Sequence, residues 1–297
     1  MTMAERELSG APSMLPMFAR AGASMIPGAS RLPFLGGRGH EVPDLTLTLA
    51  EVQTDRGRLA DYDRVCGFTL REELPPTYVH MLAFPLHLAL MTDGRFPFPA
   101  IGLVHIANRI VQHRPIGAGE LLGLKVWADP LEYHPRGRQF SIRTEARVGD
   151  ELVWEEHSTN LRRGPSGDPP PGGAPADSGP PSAEELPASA TWRLAGDLGR
   201  RYGSVSGDLN PIHIHPLSAR LFGFPTAIAH GMWTKARALA ALESELPRAF
   251  AVQAAFRRPI LLPATVQFAE GRSAEGIRFG VRDANKGTPH LDGAVSF

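Results

Sequence analysis

Apolar side chains at helical spacing mark the segment that follows Asp197. Leu198, Tyr202 and Val205 would share one face of a helix. Asp197 stands where an N-cap belongs, and Gly207 stands just past the last apolar position. The pattern therefore predicts a helix that begins after Asp197 and ends before Gly207.

Two longer apolar stretches, residues 230–245 and about 81–92, are typical of buried helices. Each is followed by runs in which apolar and polar residues alternate, as in strands with one buried face. The predicted strands are residues 121–128, 139–148, 152–162, 252–259, 264–270, 277–283 and 291–297. One long helix followed by antiparallel strands predicts an α+β fold with the sheet wrapped on the helix.

Three short motifs occur twice, in the same order and at similar separations along the chain. The pairs are YDRVCG (62–67) with YGSVSG (202–207), PTYVHM (76–81) with PTAIAHGM (225–232), and RPI (114–116) with RPI (258–260). Each pair alone is weak, but together they indicate one fold built twice.

The segment between the two copies, residues 164–187, consists almost entirely of Gly, Pro, Ala, Ser and acidic residues. It has too few apolar side chains to offset the entropy of ordering, which predicts a solvated linker. We expect an N-terminal arm at 1–39 that packs on the folded body, one domain at 40–163 and a second at 188–297.

Composition narrows the classes of partner. Formal net charge is +0, and hydrophobic residues make up 42% of the chain, as in ordinary globular proteins. The balanced charge favours neither nucleic acid nor an anionic membrane as partner. Residues 14–35 are interrupted by prolines and arginines and make a poor membrane span.

Cellular location is predicted from the N-terminus and from cysteine usage. Residues 1–10 lack a signal-peptide layout. The lone Cys66, interpreted as a small buried hydrophobe, is consistent with a reducing compartment. We therefore expect a cytoplasmic protein.

The candidate chemistry lies in SGDLNPIH, residues 206–213. Its turn-forming residues would bring Asp208 and His213 together in a tight loop, and a carboxylate beside an imidazole suits general acid–base catalysis. The alternative is that Asp208 only stabilises a turn. The first copy has Phe68 where the second has Asp208, so we expect one site per chain, in the C-terminal copy.

The second candidate is Gly231, where the long helix of the C-terminal copy is predicted to begin. The first N–H groups of a helix lack intrahelical partners, and a residue without Cβ lets a ligand oxygen approach closely. Such an N–H would suit a developing oxyanion. The alternative is that Gly231 only allows the helix to pack against the sheet.

The residues from Tyr202 to Met232 resemble the MaoC-like dehydratases, the family of (R)-specific enoyl-CoA hydratases. The matching stretches are Tyr202, SGD (206–208), NPIH (210–213), Gly223-Phe224 and AHGM (229–232). The resemblance implies a double hot-dog fold, each half a long helix wrapped by an antiparallel β-sheet, with a degenerate N-terminal half like that of two-domain 3-hydroxyacyl-thioester dehydratases. It also implies reversible hydration of trans-2-enoyl thioesters to (3R)-3-hydroxyacyl thioesters in fatty-acid metabolism.

Roles follow from the resemblance for the matching positions. Asp208 and His213 would hold and activate the water, and the Gly231 N–H would stabilise the thioester oxygen. Asn210 would brace the loop, with Ser206 and His230 as further supporting residues. No cofactor is implied, because CoA or acyl carrier protein serves only as the carrier of the acyl substrate.

Other polar residues receive weaker predictions. Arg257 and Arg258 are candidates for CoA phosphate contacts, although such a pair is more often simply solvated. His213 and His215 form an H-x-H pair, but no third ligand stands at a familiar metal spacing, so no metal is expected. The histidines of the N-terminal copy are expected to be packing or surface residues: His80, His87, His105 and His113.

Two rival functions remain open from the sequence. One is a hot-dog acyl-thioesterase, and the other is a non-catalytic subunit that binds acyl thioesters. The paired halves predict a monomer that mimics a dimer, and association of two chains into a homodimer is left open.

Overall fold

The computed structural model describes residues 4–23, 41–165 and 179–297. Its helices are α1 (Met14–Ala23), α2 (Arg56–Cys66), α3 (Tyr78–Met91), α4 (Leu198–Ser206), α5 (Pro211–Ile214), α6 (Pro216–Leu221) and α7 (Gly231–Ala241). Its strands are β1 (Ala4–Leu8), β2 (Leu45–Val52), β3 (Leu103–Gln112), β4 (Leu122–Ala128), β5 (Glu132–His134), β6 (Gly137–Val148), β7 (Glu151–Arg163), β8 (Ala188–Leu194), β9 (Phe250–Phe256), β10 (Ala264–Ser273), β11 (Gly276–Asp283) and β12 (Pro289–Ser296).

The chain forms two compact units that do not follow the two sequence copies. Unit 1 takes the described residues within Met1–Gln53, His80–Ile106 and Leu121–Asp177. Unit 2 takes those within Thr54–Val79, Ala107–Glu120 and Ser178–Phe297, so it contains helix α2 of the first copy. The domain boundaries drawn from the sequence stay a prediction.

Unit 1 holds most of helix α3 and the strand order β1-β2-β4-β6-β7, with β5 attached to β6. Its pairs are antiparallel except β1 with β2, which is parallel. The helix is apolar on nearly every side, as expected for a helix buried against a sheet. The core of unit 1 includes Met81, Leu86 and Leu90 from the helix, with Ile142 and Trp154 from the sheet.

Unit 2 holds helix α7 and the antiparallel order β9-β12-β11-β10-β8, with residues 107–112 of β3 paired to β9. Helix α7 contacts β11 and β12. The helix predicted for residues 230–245 is confirmed over Gly231–Ala241, and residues 243–245 continue as a 3₁₀ turn.

Helices α2 and α4 are the paired YxxVxG motifs, and they pack together inside unit 2. Each ends at a left-handed glycine, Gly67 at φ 85° and Gly207 at φ 79°, where a residue with Cβ would be strained. The Tyr62 and Tyr202 rings lie 6.0 Å apart. The repeat seen in the sequence is therefore a structural repeat of this helix and its cap.

Side chains from one copy also satisfy the open helix ends of the other within unit 2. Arg58 Nε donates to the Val205 carbonyl of α4 at 2.7 Å, and Trp233 Nε1 donates to the Val65 carbonyl of α2 at 2.9 Å. The last carbonyls of a helix have no intrahelical partner, so each bond stabilises a helix end.

Five of the described strands lie outside the predicted runs: β1, β2, β3, β5 and β8. The β8 segment is exposed at most positions. The first three residues of β2 are all buried, so both faces of that strand are covered there. Neither has the strict alternation of a half-buried strand, so the pattern was too weak to indicate them.

The described part of the predicted arm contains β1 and α1, and β1 pairs with Leu45–Leu49 of β2. Residues 24–40 and 166–178 lie outside the described residues, and with them falls most of the predicted linker. The end of that linker is packed, because Ala183 is 4% exposed and its N–H donates to Asp292 Oδ1 at 3.0 Å. No helix in the described ranges is long and apolar enough to cross a membrane.

Candidate active site

Helix α4 delivers the chain to Asp208 through a fixed cap. Gly207 N–H donates to the Gly203 carbonyl at 2.8 Å, which closes the helix. The Asp208 N–H then donates to Ser206 Oγ at 3.1 Å, and Ser206 is buried. Ser206, which was predicted as a supporting residue, therefore accepts a hydrogen bond from the Asp208 backbone.

His213 lies on a one-turn helix, α5, rather than on the irregular loop that the sequence indicated. Asn210 is its N-cap and Pro211 its first residue, so the Asn-Pro pair interpreted as a turn starts a helix here. The Asn210 side-chain oxygen accepts from Ile212 N–H at 3.4 Å, and the backbone N–H of Asn210 donates to Asp208 Oδ1 at 3.1 Å. Asn210 therefore fixes both Asp208 and the helix that carries His213.

Two glycines of α4 let this loop approach the helix closely. A Cβ on Gly199 would lie 1.9 Å from the His213 carbonyl oxygen, and a Cβ on Gly203 would lie 3.0 Å from the Asp208 carbonyl oxygen. Because residues four apart share one helix face, α4 presents a groove to the backbone of both reactive residues. This glycine pair was not among the residues predicted from the sequence, although two glycines four residues apart inside a helix are a visible signal.

The structure brings Asp208, His213 and His230 together. One carboxylate or ring-nitrogen atom from each lies within 4.8 Å of the others. The two imidazoles are stacked with centroids 3.7 Å apart, and His230 Nε2 lies 3.7 Å from Asp208 Oδ2. The predicted proximity of Asp208 and His213 is therefore present, and His230 lies inside the cluster.

Backbone carbonyls set the tautomer of each imidazole. His213 Nδ1 lies 2.9 Å from the Ile228 carbonyl, which can only accept, so Nδ1 carries the proton. His230 Nε2 likewise donates to the Asp208 carbonyl at 3.1 Å. Neutral His213 therefore presents Nε2 as a lone pair, and neutral His230 presents Nδ1, which is buried without a hydrogen-bond partner among the described residues.

Burial keeps both imidazoles neutral. It lowers the pKa of His213 below its usual value, although Asp208 and the Ile228 carbonyl oppose that shift. Burial, with the neighbouring His213, lowers the pKa of His230 to about 3. A neutral imidazole can accept a proton from water, which an imidazolium cannot.

Acid is expected to destabilise this arrangement. An unfolded imidazole titrates near 6.5 and folded His230 near 3, so the unfolded chain binds more protons between these values. The free energy of unfolding should therefore fall as pH falls from about 6.5 toward 3, by at most about 1.4 kcal/mol per pH unit for this one proton.

Denaturant titrations of the wild-type chain and of His230→Asn across that range measure the effect. The variant removes one proton uptake, so its stability should depend less steeply on pH. Parallel pH profiles for the two proteins would contradict a depressed pKa at His230.

Gly231 begins helix α7, as predicted. A Cβ there would lie 3.1 Å from the Phe256 ring, so the packing alternative for this glycine is present in the structure. Its N–H belongs to the first turn of the helix, at the positive end of the helix dipole. The oxyanion role stays a prediction that this position permits.

The remaining predicted residues lie in other settings. His215 is exposed and its Nδ1 accepts from Leu217 N–H at 3.1 Å, which caps α6. Both Arg257 and Arg258 are exposed, but Arg257 Nε donates to buried Asp292 at 2.7 Å. Arg257 therefore has a structural partner that the sequence analysis did not identify, and Arg258 is the freer candidate for a phosphate.

The grouping of Asp208, His213 and His230 could also hold a metal ion by its geometry. The expectation of no metal was based on the His213 and His215 pair, but the structure groups His213 with Asp208 and His230 and leaves His215 outside. Two imidazoles and one carboxylate are a familiar donor set for divalent metals. The expectation of no metal stays a prediction.

Comparison with known proteins places this site in a family. Residues 182–293 match the family model described as MaoC like domain. The chain is 37% identical over 289 residues to 3-hydroxyacyl-thioester dehydratase X of Mycobacterium tuberculosis, covering 96% of this chain and 98% of the relative. The chain therefore belongs to the MaoC-like dehydratase family.

Solved structures agree on the fold. The crystal structure of HtdX of Mycobacterium tuberculosis superposes with a TM-score of 0.74 at 36% identity, covering 84% of this chain and 98% of HtdX. A conserved protein of the same organism with a double hotdog fold superposes at 0.51 and 16% identity, covering 82% of this chain and 92% of that one. The predicted α+β double hot-dog fold, with its degenerate N-terminal half, is confirmed.

Proposed function

We propose that this chain catalyses the reversible hydration of trans-2-enoyl thioesters to (3R)-3-hydroxyacyl thioesters. The observation that carries the proposal is the grouping of a carboxylate with a neutral imidazole whose Nε2 lone pair is left open. The name of the M. tuberculosis relative, a 3-hydroxyacyl-thioester dehydratase, supports the same chemistry.

Asp208 and His213 divide the work on water. The Asp208 carboxylate takes a proton as the water oxygen attacks C3, and His213 Nε2 accepts a hydrogen bond that orients the water. The C2–C3 π electrons move toward the thioester carbonyl, and the proton that Asp208 took from water passes by way of His213 Nε2 to C2, so both residues return to their starting protonation states. Dehydration runs the same steps backward.

Charge develops on the thioester oxygen during this reaction. The Gly231 N–H at the start of α7 would donate to that oxygen, and a preorganised donor of this kind lowers the barrier most where water is excluded. Ser206 and Asn210 act one step away, since both hold Asp208 through hydrogen bonds.

The acyl carrier is CoA or acyl carrier protein, and the reaction needs no cofactor. Arg258 is the candidate for a CoA phosphate contact because it is exposed and its carbonyl, not its guanidinium, bonds His290. Arg257 forms an ion pair with Asp292, so its guanidinium is the less available of the two for a phosphate.

The test mixes the purified chain with a short and a long trans-2-enoyl thioester, each supplied on CoA and on acyl carrier protein. Loss of the conjugated enoyl absorbance without release of free thiol is expected. Dehydrogenases specific for each hand of 3-hydroxyacyl-CoA then assign the product, and only the (3R) enzyme should oxidise it. Thiol release would move the function to a thioesterase, and an inert mixture on both carriers would contradict catalysis.

A further inference from the structure

A second buried polar cluster lies in unit 1, where no chemistry was expected. His80 and His87 stand on helix α3, Glu156 stands on strand β7, and all three are buried. Glu156 is 0% exposed. The two histidines were expected to be packing or surface residues, but their ring nitrogens lie close to the Glu156 carboxylate.

The helix places both imidazoles on one side. His80 and His87 are seven residues apart, which is close to two helical turns, so they face the sheet together. His80 Nδ1 lies 2.7 Å from Glu156 Oε1, and His87 Nε2 lies 3.8 Å from Glu156 Oε2. Two donors on a tetrahedral Zn²⁺ are about 3.3 Å apart, given metal–ligand distances of about 2.0–2.2 Å. The His87 Nε2–Glu156 Oε2 separation is close to that value, whereas the His80 contact is a hydrogen bond that a bound metal would replace.

A carboxylate out of contact with water is costly unless a cation or hydrogen bonds compensate it. His80 Nδ1 forms a hydrogen bond with Glu156 Oε1 at 2.7 Å, whereas buried His87 stays neutral, because burial lowers its pKa to about 3. A neutral imidazole is, however, the form that binds a metal. The same burial that weakens His87 as a counter-charge thus suits it as a ligand.

We propose that His80, His87 and Glu156 form a binding site for a divalent transition metal, with Zn²⁺ as the best match. One ligand atom from each of the three lies within 4.8 Å of the others. Two imidazoles and a carboxylate match the mixed nitrogen and oxygen preference of Zn²⁺. The metal would bind Glu156 in place of its hydrogen bond with His80 and would tie helix α3 to the sheet of unit 1.

Neighbouring hydroxyls complete the surroundings. Thr144 Oγ1 lies 2.7 Å from His87 Nε2, the atom that would face the metal. His105 stacks on His80 with centroids 6.3 Å apart, and its Nε2 lies 2.9 Å from Ser158 Oγ. Thr144 therefore competes with a metal for His87, whereas His105 orients His80 by packing.

The test uses the full-length chain after dialysis against a chelator. Zn²⁺ is titrated in competition with a chromophoric chelator, and Co²⁺ is added separately to read the ligand-field absorption. One tightly bound equivalent is expected. Glu156→Gln, which keeps the shape and removes the charge, should weaken Zn²⁺ binding by at least about 100-fold, since even outer-sphere partners contribute about 10–100-fold.

Two controls separate this site from others. Glu155→Gln alters the neighbouring carboxylate of the same strand, and Asp208→Asn alters the other cluster with metal-binding geometry, so both should keep the bound equivalent. Thr144→Val removes the competing hydroxyl and should bind Zn²⁺ at least as tightly as the wild-type chain.

Three results would overturn the proposal. The first is no tight equivalent in the wild-type chain. The second is binding that survives Glu156→Gln but is lost in Asp208→Asn, which would place the metal at the other cluster. The third is weaker binding in Thr144→Val, a variant of similar shape on which the test can still be read if Glu156→Gln fails to fold.

Discussion

Asp208→Asn should lower the hydration rate by about 10²–10⁴-fold, the usual contribution of a positioned general base. The amide keeps the shape of the carboxylate and can still accept from Asn210 N–H, which now bonds Asp208 Oδ1 at 3.1 Å. It cannot take a proton from water. The loss should therefore appear in kcat while KM changes little, measured on the same enoyl thioester as the wild-type chain.

His213→Ala should reduce kcat over a similar range, because it removes the Nε2 lone pair that the Ile228 contact leaves open. Combining both substitutions should cost less than the product of the single losses, since the two groups act on one water. A strictly multiplicative double variant would indicate independent roles.

Asp197→Asn is the matched control for Asp208→Asn. Asp197 is the N-cap residue of α4, as the sequence predicted, but its side chain makes no capping hydrogen bond. We expect wild-type kcat and an unchanged melting temperature. If Asp208→Asn retained activity like this control, the carboxylate would have no part in the chemistry.

Gly199→Ala should disable the site without touching a reactive side chain. The new Cβ would lie 1.9 Å from the His213 carbonyl oxygen, and this neighbour is backbone that cannot rotate away. Helix α5 must shift, and it carries His213 with it. A displacement of about 1 Å commonly costs about 10²-fold in rate, so we expect at least that loss in kcat.

Stability should fall as well, by about 1–3 kcal/mol, as for other overpacked sites. Gly196→Ala provides the comparison, because its Cβ would meet Pro263 at 3.9 Å, an ordinary contact. Activity assays and denaturant titrations of both variants measure the difference. Equal behaviour of the two alanine variants would contradict the close approach at Gly199.

The sequence predicted the parts of this site that depend on local patterns. Helix α4 was visible because Leu198, Tyr202 and Val205 repeat at its period and Gly207 stops it. The proximity of Asp208 and His213 was predictable because only four residues, which include the turn-forming Asn-Pro pair, lie between them. These features depend on neighbours in sequence, so one sequence was sufficient.

The missed features depend on partners distant in the chain. The ring orientation of His213 is set by the Ile228 carbonyl, and the structural bond of Arg257 goes to Asp292. A four-residue helix such as α5 is too short for any periodicity, so Asn-Pro was interpreted as a turn. Likewise nothing near Glu156 in sequence indicates that His80 and His87 converge on it.

The exchanged helix-end bonds bear on how a duplicated chain diverges. Arg58 and Trp233 each cap a helix of the opposite copy within unit 2, so neither sequence copy contains all the contacts of its own folded unit. The first copy has Phe68 where the second has Asp208, so it does without the reactive carboxylate, yet its helix α2 is still needed by the second copy. Gene fission at the segment between the copies would separate those partners, which makes the fused arrangement hard to reverse.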